Sequence, residues 1–458
     1  MYQSFLSWRF LTARRINWVG IIGVFVGVTA LILILSIMSG FLDQQRRMVR
    51  GTLSHLVIEP SPLMSATGAP LPETAEPLLQ AVSSDPRVAN SCAQLSWFAL
   101  LIQGGRGSAY SASRLSDTTS AKLVGVQIVG IDTEAEYQTT ELREALNAPP
   151  AGMSFGHVPV TDPEDPFAAP SSEFDASPWA WCVVGQQLAI VHGLRRGSEI
   201  NLGTMIPDPQ TGEVRQSNRK FLVAGTFRTG ENESDLGRIY VDRSELHDFL
   251  ATSRDYSQVL VKLHDYDRDG QALSKELSSS LAEAGLIRAS DLNEVRTWEQ
   301  YRGNILGAIE NEKVLMAIML SLVLVVAGFS VFAILTMMVA EKRRDIGILS
   351  ALGGTRSGTL MIFLLIGFWD ALLGAGAGAV AGVLGAKYID PIERSISGFF
   401  GVQIFDRKVY LFDHIPAVID PYSVAAIVLG AFLCTLTFAA IPAWRASRLN
   451  PLDALRYE

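Results

Sequence analysis

Four stretches of this chain run for about the thickness of a bilayer with almost no charge, and they constrain its fold more than anything else in the sequence. No residue between Arg15 and Asp43 is charged, and the core from Trp18 to Met38 is long enough to cross about 30 Å of hydrocarbon at about 1.5 Å per residue. Val314 to Ala340 and Pro421 to Trp444 are also charge-free, and Ser357 to Ala386 is interrupted only by Asp370. The front of the first run carries arginines, as a secretory signal does. The run is nevertheless too long for a typical signal core, and no clear A-x-A cleavage site follows it, so it reads as a spanning helix. The fold class predicted is membrane α-helical, with four transmembrane helices and a large α+β extracytoplasmic domain between the first and second.

Orientation follows from Lys and Arg near the ends of the spans. Arg9, Arg14 and Arg15 precede the first span without any acid, Lys342, Arg343, Arg344 and Arg356 fill the loop after the second, and Arg445, Arg448 and Arg456 follow the fourth. These segments are expected in the cytoplasm. Arg46, Arg47 and Arg50, just past the first span, run against the rule, but a long translocated domain largely ignores it. Residues 43–313 hold 24 basic and 36 acidic residues, so the acidity of a chain with net charge −8 lies in the outer domain. That charge offers no basic footprint for nucleic acid, which is not expected as a partner. The expected division is 1–16, a cytoplasmic amphipathic segment; 17–42, the first span; 43–313, the extracytoplasmic domain; and 314–340, the second span. It continues with 341–356, a cytoplasmic loop helix; 357–386, the third span; 387–420, an extracytoplasmic loop; 421–444, the fourth span; and 445–458, a cytoplasmic tail.

Within the outer domain, Lys122–Ile131, Phe221–Phe227 and Ser257–Leu263 read as strands. Gly270–Gly285 has helical spacing at Leu273, Leu277 and Leu281, and Gly185–Leu202 reads as a short helix, a turn at Arg196-Gly197 and a strand. Ala148–Pro178, rich in Pro, Ala, Ser and acids, is expected as an exposed loop. Cys92 and Cys182 could pair in an oxidising compartment or remain free.

Catalytic signatures are missing: there is no G-x-x-x-x-G-K-[ST], no H-E-x-x-H and no G-x-S-x-G. The six histidines are scattered, and neither they nor the three cysteines have metal-ligand spacing. No catalytic residue and no metal site is therefore expected. Gly353-Gly354-Thr355-Arg356-Ser357-Gly358 lacks the lysine and the preceding strand of a phosphate cradle, and reads as a helix end turning into the next span. The informative segment is Glu341–Gly354. On a helix, Ile348 and Leu352 lie four apart and Ile346 and Leu349 three apart, beside the charged Arg343, Arg344 and Asp345. Either a short interfacial helix that turns the chain or a helix that docks into a cytoplasmic partner has this composition.

Glu341–Gly354 resembles the E-K-x-x-[DE]-I-G-I-L-x-A-L-G-[AG] signature of the permease family that includes the lipoprotein-releasing LolC and LolE proteins, with the MacB and FtsX permeases as more distant relatives. Ile441–Glu458 resembles the family's C-terminal P-A-x-x-A-x-x-x-x-P-x-x-A-L-R-x-E. Trp8-Arg-Phe-Leu-Thr-Ala-Arg-Arg15, Met38-Ser-Gly-Phe41, Gly225-Thr-Phe-Arg-Thr-Gly230 and Thr297-Trp-Glu299 are similar to the LolC/LolE branch in particular. The resemblance implies a multi-pass inner-membrane protein with cytoplasmic termini. It would be the permease subunit of an ABC-type complex with two copies of a LolD-like ATPase and a second permease, identical or paralogous. ATP and Mg belong to the ATPase and no cofactor to this chain. Residues 341–356 become a coupling helix, with Arg343, Arg344, Asp345, Ile346, Ile348, Leu349 and Leu352 facing the ATPase. The complex would extract lipoproteins from the outer leaflet of the inner membrane and pass them to a periplasmic carrier. The chain departs from the pattern at Ala148–Pro178, near the hook by which LolC holds that carrier. An FtsX-like signal transducer, or a MacB-like exporter of hydrophobic substrates, is the alternative.

Three expectations concern the spans. Val24, Val28, Ile32 and Leu35 of the first and Leu322, Val326 and Phe329 of the second lie at helical spacing. In the family the corresponding helices of two subunits enclose the lipoprotein cavity, so these faces are expected to meet across the dimer, the alternative being that they face membrane lipid. Gly374, Gly378 and Gly382 form a small-x-x-x-small ladder for close helix packing, expected within one subunit. Asp370 should face protein or water, paired with a group such as Thr336 or Ser321, or protonated, because it is costly against lipid. Trp8, Trp18 and Trp444 stand at positions of interfacial anchors.

Overall fold

The computed structural model of the chain describes residues 2–12, 17–60, 71–102, 123–147, 156–169, 178–207, 213–288, 294–401 and 414–449. They divide into a membrane unit, Met1–Gln44 with Ile305–Glu458, and an outer unit, Gln45–Asn304.

Among the described residues of the membrane unit, four helices are long and apolar enough to cross a bilayer. The helix of the first span runs from Asn17 to Leu53 and that of the second from Gly303 to Glu341, so both continue beyond the limits 42 and 314 set by charge alone. Charge marks where hydrocarbon ends, whereas helical hydrogen bonding goes on until a residue breaks it. At the first helix that residue is Ser54, whose φ of +58° is left-handed. The third and fourth helices are Arg356–Lys387 and Pro421–Ser447. The third is capped by Thr355, whose Oγ1 accepts from Gly358 N–H at 3.1 Å, and the fourth by Asp420, which accepts from the Tyr422 and Ser423 amides. The expected outer loop 387–420 holds a further helix, Ile389–Phe400.

Among its described residues the outer unit is built on nine strands: β1 Leu56–Ile58, β2 Val88–Ile102, β3 Leu123–Ile131, β4 Ala180–Gly185, β5 Glu199–Pro207, β6 Val214–Phe227, β7 Arg238–Asp242, β8 Gln258–Leu263 and β9 Val295–Thr297. Their order is β3-β7-β4-β6-β5-β2-β8-β1-β9, and a β3–β2 pairing closes the first six into a ring. The long β2 makes this possible. Its first half, Val88–Gln94, pairs with β8, and its second half, from Leu95, pairs with β3 and β5. Leu95, Leu101, Ile128, Val184, Phe221, Val223 and Ile239 fill the ring. Helix Tyr266–Glu283 turns Leu273, Leu277 and Leu281 inward, as their spacing predicts.

The described part of Ala148–Pro178, residues 156–169, is irregular but not merely exposed. Val158 O accepts from Thr226 N–H at 2.8 Å, and Val160 is buried where a side chain at Gly225 would otherwise stand. The Gly225 of the family motif is thus explained by this packing. Cys92 and Cys182 are both buried and free. Cys92 Sγ donates instead to Glu136 Oε2 at 3.3 Å, and burial raises the Glu136 carboxyl above its ordinary range against donors from Gln94, Cys92 and Thr140.

Candidate functional site

The loop between the second and third spans folds as a helix, Arg343–Ala351. Asp345 in its first turn complements the helix dipole and pairs with Lys342 Nζ at 2.9 Å. The end is set by two glycines. Gly353 is left-handed at φ +95°, and the Gly354 amide donates to Leu349 O at 2.9 Å, where a Cβ at Gly354 would stand 2.6 Å from that same oxygen. The helix therefore stops and reverses into the Thr355 cap of the third span within a few residues.

Its apolar residues divide between two sides. Ile346 is buried and joins the core of the membrane unit with Leu335, Met338, Val339 and Phe363, beside the buried Gly347. Leu349 is half-buried, while Ile348 is 45% and Leu352 82% exposed, next to the exposed Arg344 and Asp345 and the half-buried Arg343. Inside the same unit, helix Tyr2–Thr12 lays Phe10 against this core and under Lys342, whose Nζ is 5.2 Å from the ring centroid. Trp8, read as an interfacial anchor, meets Trp369 edge-on at 5.3 Å.

In the spans the glycine ladder packs against the first span, at residues expected to line the cavity. Val24, Val28 and Ile32 are buried and Leu35 is half-buried against the core, so the four do not form a free face. A Cβ at Gly374 would meet Val24 Cβ at 2.8 Å, one at Gly378 would meet Phe25 O at 2.8 Å, and one at Gly382 would meet Ile32 Cβ at 2.9 Å. The third span closes on the first because glycine leaves room for it. Thr29 Oγ1 secures the crossing, donating to Phe25 O at 2.7 Å and lying 3.2 Å from Gly378 O. The outward face of the first span is instead Val19, Ile22 and Val26. On the second span Leu322, Val326 and Phe329 are exposed, each by more than half.

Asp370 lies buried in the third span, and its Oδ1 has no hydrogen-bond partner among the described residues. The suggested partners are engaged elsewhere: Ser321 Oγ donates to Ile318 O and Thr336 Oγ1 to Phe332 O, each within its own helix.

In the outer unit, residues at the ends of two of the motifs and just beyond them form one polar joint. Thr297 opens a short helix with a reciprocal capping box to Gln300, which ends at Arg302. Arg302 pairs with the buried Glu231 at 3.0 Å and with Glu233 at 2.8 Å. Glu231 also accepts from Ser234 at 2.6 Å and lies 3.4 Å from Thr52 Oγ1, in the last turn of the first long helix. Asp235 behind it accepts from the Thr229 and Gly230 amides and from Thr229 Oγ1. Burial still outweighs these donors and raises Asp235 to about 6.

The profile of the MacB-like periplasmic core domain matches residues 19–278, and that of the FtsX-like permease C-terminal region matches 317–451. The lipoprotein-releasing system transmembrane protein LolC of Xylella fastidiosa (strain Temecula1) is 27% identical over 98% of this chain and 97% of its own length. LolC of Neisseria meningitidis serogroup B is 27% identical over 100% of this chain and 99% of its own. LolE of Haemophilus influenzae is 22% identical over 98% of each. With the four apolar helices and the loop helix between them, the chain belongs to the family with a MacB-like periplasmic core domain, here joined to an FtsX-like permease C-terminal region, and it is similar over its whole length to the LolC and LolE permeases.

Proposed function

We propose that this chain is the permease subunit of an inner-membrane complex that uses ATP hydrolysis by a partner ATPase to release lipoproteins to a periplasmic carrier, with both of its own termini in the cytoplasm. The observation that carries the coupling step is the two-sided loop helix. Ile346 and Gly347 fasten it to the packed core of the spans, so it cannot move alone, while Ile348 and Leu352 stand exposed at its outer end. Exposed apolar residues beside charge on a rigidly mounted helix suit insertion into a cleft of a soluble partner. The partner would be a pair of LolD-like subunits that hold ATP and Mg, and a second permease, identical or paralogous, would complete the complex.

For the cargo, the apolar route is assigned to the free faces: Val19, Ile22 and Val26 of the first span with Leu322, Val326 and Phe329 of the second. An acyl chain needs such a route, since each CH₂ exposed to water costs about 0.8 kcal/mol. Photo-crosslinkers at Ile22, Val26 and Val326 should capture acylated protein and lose that capture when a catalytically dead ATPase holds the closed state; labelling of bulk phospholipid alone would reject the route. For the coupling helix, Ile348→Asp with Leu352→Asp should abolish co-purification of the ATPase while leaving the permease folded. Undiminished co-purification would refute the docking role.

A further inference from the structure

We propose that helix Ile389–Phe400 is a membrane-surface helix whose outward face, Ile392, Ile396, Phe399 and Phe400, is sunk into the acyl boundary of the bilayer beside the third span. The proposal requires only that Arg356–Lys387 spans a membrane, and it is independent of what the complex transports.

The first observation is that the helix is inside out for a water-soluble protein. A helix packed on a soluble domain turns its apolar stripe to the protein and its polar face to solvent. Here the residues turned to the protein are polar. Glu393 is buried and accepts from Ser397 Oγ at 2.7 Å, and Asp390 accepts from the Ile415 amide at 2.9 Å, which ties the helix to the segment leading into the fourth span. The residues turned away are apolar: Phe399 is 85% and Phe400 69% exposed, with Ile392 and Ile396 also exposed. Positions 392, 396, 399 and 400 share one face at the i, i+4, i+7, i+8 spacing of a helix. An apolar face turned outward from a polar anchor is stable where the surroundings are themselves apolar.

The second observation is position in the chain. The third span ends at Lys387, and its C-cap residue, Tyr388, is also the N-cap of the next helix. A helix that begins there has no length of chain in which to leave the membrane surface. The exposed stripe of the third span, Val380 and Leu384, leads through the exposed Tyr388 to Ile392. Lys387, with its Nζ 5.7 Å from the Tyr388 ring, and the exposed Arg394 suit the level of the lipid headgroups. Gly401, left-handed at φ +66°, then ends the helix.

The test uses the full chain with Cys434 replaced by Ala, since Cys92 and Cys182 are buried and would not be labelled. Nitroxide labels are placed at Ile392→Cys, Ile396→Cys and Phe399→Cys, and at Arg394→Cys and Gly398→Cys on the other side, in phosphatidylcholine–phosphatidylglycerol vesicles. The first three should relax more with oxygen, which concentrates in the acyl region, than with a water-soluble nickel chelate, and the last two should show the reverse. If nickel dominates at all five positions, the face is in water and the proposal fails. If both reagents are excluded at 396 and 399, a protein covers the face and the proposal also fails. Should a cysteine variant not fold, Phe400→Trp read against the unsubstituted chain gives an independent answer: quenching by bromine-labelled acyl chains is expected, and its absence overturns the assignment.

Discussion

Replacing Gly378 by Ala tests how the membrane unit is held together. The added Cβ would sit 2.8 Å from Phe25 O and 3.0 Å from Val28 Cβ, and the first of these is backbone, which cannot rotate away. Overpacking of this kind costs about 1–3 kcal/mol. Gly376, on the same helix, has no atom within 4 Å of a Cβ built on it, so Gly376→Ala should gain up to about 1 kcal/mol of helix propensity. The two alanine variants should thus differ by about 2–4 kcal/mol although they change the same atoms two residues apart. Thermal unfolding in detergent, followed by tryptophan fluorescence, reads the difference. Gly374→Ala, which would meet Val24 Cβ at 2.8 Å, should behave like Gly378→Ala. Equal midpoints for the 376 and 378 variants would mean that the first and third spans do not touch at the ladder.

Glu231→Ala leaves Arg302 without its buried partner and should cost about 3 kcal/mol, with amide exchange rising together at Val49–Thr52 and at Tyr301–Arg302; loosening of one end alone would show that the carboxylate does not join them. Asp235 has a folded value raised to about 6 from an ordinary 3.8, so the native state holds the extra proton between those limits and stability falls as pH rises through them, by at most about 3 kcal/mol. The stability advantage of the native chain over Asp235→Asn should shrink from pH 4 to pH 6, and a flat or rising difference would refute this. Asp370→Asn should retain transport at every pH tested, as befits a buried structural acid. A loss of transport that depends on pH would make Asp370 a proton carrier.

The four spans were legible because a charge in hydrocarbon is expensive, and the gaps between charges mark them. The glycine ladder was legible for a similar reason: three glycines on one face have little purpose but close approach. What lies opposite that ladder was not. A helix apolar all round carries no sign of which face meets a neighbour, so Val24, Val28 and Ile32 looked like a lining when they are the ridge that fills the ladder. The joint at Glu231 was hidden because its members, Thr52, Glu231 and Arg302, lie far apart in the chain and each is unremarkable in its own segment. Helix Ile389–Phe400 was hidden by Pro391 and Gly398, which made a short amphipathic period look like a loop. On the loop helix, spacing placed Ile346, Ile348, Leu349 and Leu352 on a helix, but only packing separated the buried Ile346 from the exposed Ile348 and Leu352.

In the proposed function, ATP hydrolysis coupled to this permease removes lipoproteins from a bilayer. This is tested most directly by reconstituting the chain with its ATPase and companion permease in vesicles that carry an acylated protein, then adding ATP together with a soluble lipoprotein carrier. Acylated protein should leave the vesicles for the carrier at a rate that follows hydrolysis, and Ile348→Asp with Leu352→Asp should abolish both. Sustained hydrolysis by the intact complex with every acylated protein still in the bilayer would contradict the proposed function.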